Sequence, residues 1–359
     1  MHGFWGDEMN LFNIIPHKGH VDLDYKIKML PWLLTIETGY GDIFVTLNQS
    51  NGVLIYAKDV GVKIEPVGKS ERKKIDCIES KGYFDFWDGR LNTVVHCIEG
   101  HFDFDTLITQ SNDFKLYIAI SGIETEKLTI PDCLDEFDAK TIEEEYKSWV
   151  APLLVECGYY KDTAELAAYI LWSSGVRPCG HITNNTILMS KNWMHYVWAW
   201  DHCFNAIALV KAYPQLAWDQ ISVFFNNQCE DGKLPDLIYP NDMNLKETKP
   251  PVHGWCVEKL LDAGLKISDQ DLQKFYNKLI AWTNWWFENR DDDKDGICQY
   301  NLNNESGHDN STVFDEGRPV ETPDLTTYLI LQIKCLKRIS KCYSCMQMRK
   351  NGTKCKKIY

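Results

Sequence analysis

Leu272, Phe275, Leu279, Trp282 and Trp286 follow one another at intervals of three, four, three and four residues. Only an α-helix brings that spacing onto one face, so this segment must bury a helical stripe. Earlier in the chain the period is two. Phe114, Leu116, Ile118 and Ile120 alternate with Lys115, Tyr117 and Ala119, and Val95/Cys97 and Phe102/Phe104 repeat the pattern. Turn pairs such as Asn51-Gly52 and Asp88-Gly89 punctuate these runs. Alternation between turns predicts antiparallel strands, here a β-sandwich-like domain over residues 1–130. The period changes near Pro131. Residues 131–160 read as an acidic linker, Asp132 to Ile142, followed by a helix over Glu143 to Cys157. Residues 161–341 read as helical hairpins, and 342–359 as a basic, cysteine-containing tail.

Local signals place the helix starts. Asp162 with Glu165 has capping-box spacing before an apolar run. Pro214 opens a helix running toward Gln228, Ser268 precedes the Leu272 stripe, and Thr322-Pro323 puts proline at a first helical position. About six helices follow residue 160. Short turns alternate with irregular loops rich in Trp, Asp and Asn, which fits a toroid of paired helices with its long loops at one end. The expected fold is therefore mainly α: a partial toroid of helical hairpins after a β-sandwich-like domain.

Charge and cysteine usage narrow the partners. Net charge is −13, from 38 basic and 51 acidic residues, which repels phosphate backbones and argues against nucleic acid. No run of eighteen apolar residues suggests a membrane span. The first residues lack a basic region followed by an apolar one, so a signal peptide is not expected. Thirteen cysteines without such a leader read as reduced thiols in a cytoplasm. In the tail, Cys342, Cys345 and Cys355 lack a fourth zinc ligand at consistent spacing.

Two polar stretches carry the chemistry. Glu305-Ser306-Gly307-His308-Asp309-Asn310-Ser311 fits neither the helical nor the strand period. Trp198-Ala199-Trp200-Asp201 stands at the mouth of a helix. Aromatic rings beside carboxylates suit a sugar, whose apolar face stacks on rings while carboxylates accept hydroxyls and move protons. Asp201 can also serve as a helix N-cap. His202 and His308 read as hydrogen-bonded scaffold. Asp291-Asp292-Asp293-Lys294-Asp295-Gly296 matches the first half of a calcium loop, with Asp291, Asp293 and Asp295 as ligands, but the position of the bidentate glutamate holds Leu302. No cofactor is expected to be required, with one calcium ion a possible exception.

In order along the chain stand Trp198-Ala199-Trp200-Asp201, Gln228 through Asp231-Gly232-Lys233-Leu234-Pro235-Asp236, Lys249-Pro250-Pro251, Glu305 through Ser311, and Val320-Glu321-Thr322-Pro323-Asp324-Leu325. Over residues 160–340 this series resembles glycoside hydrolase family 63 and its bacterial relatives, the α-glucosidases and mannosylglycerate or glucosylglycerate hydrolases. The resemblance implies an (α/α)6 barrel, often preceded by a β-sandwich, and an inverting hydrolysis of α-glycosides. It implies Asp309 as the general acid and Asp201 as a sugar ligand. Trp198, Trp200, Gln228, Trp255 and Glu305 are further candidates for substrate binding. A working acid must hold its proton near neutral pH, which takes burial or a neighbouring carboxylate; Glu305 is a candidate neighbour. Inversion also needs a second carboxylate about 6.5–9.5 Å away to activate water. In the family that base lies in a late loop, beyond the last motif matched here. The chain is thus expected to be a fragment lacking the base, acting on an oligosaccharide or small glycoside as a monomer. The alternative is an inactive carbohydrate-binding remnant, and a third reading is an unrelated helical interaction module.

Overall fold

The structure is a computed structural model that describes residues 12–19, 21–48, 52–66, 72–78, 81–87, 92–121, 128, 138–155, 158–190, 194 and 196–350. Asp88-Gly89, residues 132–137 and Cys355 lie outside the described residues. Among the described residues helix makes up 40% and antiparallel strand 26%. The chain divides into two compact units. One comprises Met1–Gly180 with Ser190–His195, the other His181–Met189 with Tyr196–Tyr359.

The first unit contains two antiparallel sheets. In one, the order is Tyr25–Met29, Leu34–Thr38, Asp42–Asn48, Gly52–Lys58, Phe114–Ser121, Asn92–Glu99, Lys81–Trp87 and Arg72–Ile78. In the other it is Phe102–Asp103, Ile108–Thr109, Gly61–Pro66, Phe12–Lys18 and Val21–Asp22. Ile36, Ile43, Ile55 and Ile118 of the larger sheet share one apolar cluster with Val62, Ile64 and Phe102 of the smaller. The strand Phe114–Ser121 differs from its alternating expectation. It is central, and Lys115 and Tyr117 are buried along with the apolar set. Tyr117 tolerates this as an amphipathic ring. The Lys115 ammonium lies 3.8 Å from the carboxylate of Glu99.

Helix α1 (Ala139–Val150) starts earlier than expected because Asp138 caps it, accepting the N–H groups of Lys140 and Thr141. Helix α2 (Lys161–Ser173) begins at Tyr160 without a side-chain cap. Asp162 therefore falls in its first turn, where its charge suits the helix dipole, and the expected capping box does not form. Tyr146 of α1 lies between Trp32 and Trp172, with ring centroids 5.2 and 5.1 Å away.

The second unit is built on α3 (Asp201–Leu209), α4 (Pro214–Asn226), α5 (His253–Asp262), α6 (Asp269–Asn289) and α7 (Pro323–Lys350). Leu272, Phe275, Leu279, Trp282 and Trp286 are all buried, as the 3-4-3-4 spacing requires. Ser268 caps α6 through the Asp271 N–H at 3.1 Å, and prolines occupy the first positions of α4 and α7. Helix α7 continues past residue 341 into the expected tail. Helix α3 packs on α4 and α5, and α7 on α5 and α6. At the α5–α7 contact a Cβ on Gly254 would stand 2.5 Å from the Cα of Gln332, so only glycine permits this approach. Between α4 and α5 the strands Leu237–Ile238 and Met243–Asn244 extend a small antiparallel ribbon that begins with Val197–Trp198.

Candidate functional site

The two polar stretches meet in the second unit. Gly307 ends a short 3-10 turn, Asn303–Ser306, with φ at +71°. A Cβ at this position would overlap Cζ2 of Trp200. The indole therefore lies directly against the Glu305–Asp309 loop, and only glycine provides both the backbone sign and the clearance. His308 stands edge-on to Trp200 at 6.1 Å between centroids. Phe204 lies 6.0 Å from Trp200 and 5.8 Å from Trp255. Phe204 and His308 are exposed, and Trp200 and Trp255 are half-buried. Among the described residues this is an aromatic group reachable by a ligand.

Lys249 ties three motifs together. Its ammonium lies 2.9 Å from Oδ1 of Asp236, donates to the Asn304 carbonyl at 2.6 Å, and sits 5.3 Å above the Trp198 ring. Both members of the ion pair are buried. Asp236 also accepts the Asn244 amide at 3.1 Å, and its carbonyl takes the Ala199 N–H at 2.9 Å. Burial pushes the Asp236 carboxyl up to about 6 despite the lysine beside it, because desolvation outweighs the pairing. Glu247 accepts a hydrogen bond from the Asn304 side chain, adding a second tie between the loop before α5 and the turn before Gly307.

The positions of the proposed acid and sugar ligand differ in character. Asp201 is the first residue of α3, with Trp200 in the N-cap position. It is largely enclosed, and burial raises its carboxyl above the usual aspartate range, with Lys249 opposing the shift. Asp309 is exposed, and its carbonyl accepts the Asn303 amide at 2.9 Å. Ser306 holds the loop by donating to the Asn303 carbonyl at 2.6 Å and accepting the His308 N–H at 3.0 Å. Trp198, Trp200, Asp201 and the Asp309 loop thus share one neighbourhood.

Two of the sequence candidates are engaged elsewhere. Glu305 is completely buried. Its oxygens accept Arg290 at 2.6 and 3.3 Å and the backbone N–H groups of Asn301 and Leu302 at 2.8 and 3.3 Å. It shapes the loop carrying Asp309, and this is its observed role. Gln228 donates to the carbonyls of Gly232 and Lys278 at 2.8 and 2.9 Å, anchoring the Asp231–Asp236 loop on α6.

Asp291, Asp293 and Asp295 bring one carboxylate oxygen each to within 4.8 Å of one another. Gly296 turns the chain at φ +90° and donates to Asp291 at 3.1 Å. The three charges also act on Glu321, raising its carboxyl after the effect of burial. Val320–Glu321 pairs with Gln299–Tyr300, the strand that follows this loop.

Known proteins can be set against this geometry. Residues 194–354 match a family described as the mannosylglycerate hydrolase MGH1-like glycoside hydrolase domain. Mannosylglycerate hydrolase MGH1 of Selaginella moellendorffii is 26% identical over 150 residues, covering 35% of this chain and 30% of that protein. The mannosylglycerate hydrolase of Rubrobacter radiotolerans is 23% identical over 143 residues, covering 33% and 32%. The crystal structure of GH63 mannosylglycerate hydrolase from Thermus thermophilus in complex with Tris aligns at 20% identity and a TM-score of 0.36, covering 51% of this chain and 50% of that one. Residues 194–354 are thus similar to the GH63 mannosylglycerate hydrolase-like family. The chain spans about 30% of the length of the curated relatives it matches.

Residues 194–354 include side chains that the sequence motifs contained but did not single out. Lys249 and Asp236 were visible only as parts of the Lys-Pro-Pro and Leu-Pro-Asp motifs. Their pairing across thirteen positions is fixed by the ribbon Leu237–Ile238/Met243–Asn244, which folds the intervening chain back on itself. Phe204 carried no signal beyond being an aromatic residue on a helix. No described helix is long and apolar enough to cross a membrane.

Proposed function

We propose that the second unit carries part of the sugar site of an inverting glycoside hydrolase acting on small α-glycosides such as mannosylglycerate, glucosylglycerate or α-glucosides. The observation that carries this reading is the seat of Trp200 on Gly307, which joins the Trp-Ala-Trp-Asp helix mouth to the Glu-Ser-Gly-His-Asp loop. On this reading the aromatic group Trp200, Phe204 and Trp255 stacks on the sugar face, and Asp201 accepts its hydroxyls. Asp309 protonates the leaving oxygen. Lys249 and Glu305 position the loops and touch no substrate. The helices α3 to α7 belong to a partial (α/α)6 toroid in this scheme, and the two sheets of the first unit to a sandwich. A calcium ion held by Asp291, Asp293, Asp295 and Glu321 would pin the loop that leads toward Glu305.

A second reading is a carbohydrate-binding remnant. The exposure of Asp309 favours it, because its loop stands open to water and is not closed around a reacting bond. Titrating purified protein with mannosylglycerate, glucosylglycerate and maltose by calorimetry, alongside an assay for released sugar, separates the two. Binding lost in Trp200→Ala and Asp201→Asn supports the site. Binding unchanged in both variants, with their folds intact, overturns it.

A further inference from the structure

We propose that His202, Cys203, His253 and Cys256 form a zinc site that clamps the start of α3 to the start of α5. This cluster has no place in the sugar chemistry above and none in the sequence motifs. His202, Cys203 and His253 are fully buried, and one donor atom from each lies within 4.8 Å of the other two. Nε2 of His202 is 3.7 Å from Sγ of Cys203. Zn–N and Zn–S bonds of about 2.0–2.1 and 2.3 Å span tetrahedral edges of about 3.3–3.8 Å, so this pair already has ligand spacing.

The orientation of each donor supports a cation between them. Nδ1–H of His202 donates to the Trp198 carbonyl at 2.7 Å. That bond fixes the tautomer and leaves the Nε2 lone pair facing Cys203, the arrangement in which a backbone carbonyl orients a metal-bound imidazole. His253 has no exposed surface, and neither of its ring nitrogens makes a well-formed hydrogen bond, although the Ala199 backbone acts on the ring. The ring is enclosed by aromatic groups, with Phe225 at 5.5 Å and Trp282 at 6.3 Å between centroids. An imidazole so poorly partnered in such surroundings is an unmet polar demand, and a cation at the cluster meets it.

Cys256 supplies the fourth donor. It stands three residues after His253 on the same face of α5, and its thiol donates to the Cys203 carbonyl at 3.2 Å. Rotating Sγ off that carbonyl completes a Cys2His2 set. Zinc as the dication binds two thiolates and two neutral imidazoles, and the two thiol protons leave to solvent. The resulting site carries no net charge, which a buried position requires. Its consequence is local: His202 adjoins Asp201, so the metal would fix the helix mouth that presents the sugar ligand.

The test uses the full chain, purified without a metal-affinity step and dialysed. Elemental analysis is expected to find about one zinc per chain. Stripping with a chelator and adding cobalt(II) chloride should then give tetrahedral cobalt bands with thiolate-to-cobalt charge transfer in the ultraviolet. A Cys342→Ser/Cys345→Ser/Cys355→Ser variant should keep both signals, whereas Cys203→Ser and His253→Gln should lose them. Wild-type protein that holds no zinc and gives no cobalt spectrum overturns the proposal, and this arm does not depend on any variant folding. A spectrum lost in the tail variant but kept in folded His253→Gln overturns it as well.

Discussion

Gly307 carries two demands at once, a left-handed backbone and an indole on its bare face. Gly307→Ala must adopt positive φ with a side chain, at about 1–2 kcal/mol, and displace Trp200, at about 1–3 kcal/mol. A loss of roughly 2–5 kcal/mol in urea denaturation is expected, with part of it recovered when Trp200→Ala is added, since the two sites share one overlap. Strictly additive losses would show that the ring can move away freely. Lys249 and Asp236 give a second test. Removing one partner of a buried pair strands the other charge, so Lys249→Met should destabilise by about 3–5 kcal/mol. The pair also predicts a pH dependence. The folded carboxyl of Asp236 stands at about 6, above its ordinary value, so folding is favoured by its protonation. That contribution is complete below the ordinary aspartate pKa and fades as pH rises through about 6. The urea midpoint of wild type relative to Asp236→Asn should therefore fall between about pH 4 and about pH 7. A rise across that interval would mean that the Lys249 ion pair outweighs desolvation.

Helices were more legible in the sequence than the loops that bear the chemistry. The α6 stripe was readable because a full turn-by-turn repeat of large apolar side chains has one physical solution. Ser268, Pro214 and Pro323 were readable because capping and proline geometry are local. The two-sided burial of Phe114–Ser121 was not, because a strand's neighbours are set by sheet order. Asp162 misled for a related reason: cap position depends on where the preceding 3-10 turn, Gly158–Tyr160, delivers the chain. Around the site, the Trp200 and Gly307 stretches could be named from motif order, while the Lys249 hub and Glu321 arise only when distant segments meet. The acidic loop illustrates the point and yields a prediction at this scale. Three aspartates alone make a weak calcium loop, and on the proposed reading Glu321, on the strand paired with Gln299–Tyr300, adds a carboxylate. Calorimetry should show one calcium ion binding at up to millimolar concentration, weakened at least several-fold in Glu321→Gln. Equal affinity in wild type and Glu321→Gln would remove the fourth ligand. No heat at millimolar calcium would remove the site.

At the scale of the whole molecule, ancestry and turnover separate. The chain spans about 30% of the length of its curated relatives, and the shared region covers the aromatic platform, Asp201 and the Asp309 loop. Inverting hydrolysis needs two carboxylates, one to protonate the leaving oxygen and one to activate water, about 6.5–9.5 Å apart. Asp309 supplies the first role on the reading above, but it stands in solvent, and Glu305 is engaged by Arg290. Asp315 and Glu316 follow on the same loop and are exposed. A general acid or base is typically worth about 10²–10⁴-fold in rate, so an incompletely equipped site retains binding long before it retains turnover. The polypeptide is therefore expected to bind mannosylglycerate or glucosylglycerate while hydrolysing either slowly or not at all. Asp309→Asn should leave binding within about a factor of ten, because on the proposed reading the aromatic group and Asp201 hold the sugar. Rapid hydrolysis abolished by Asp309→Asn, and also by Asp315→Asn or Glu316→Gln, would reverse this conclusion. It would place the acid and the water-activating base together on the loop that follows Gly307.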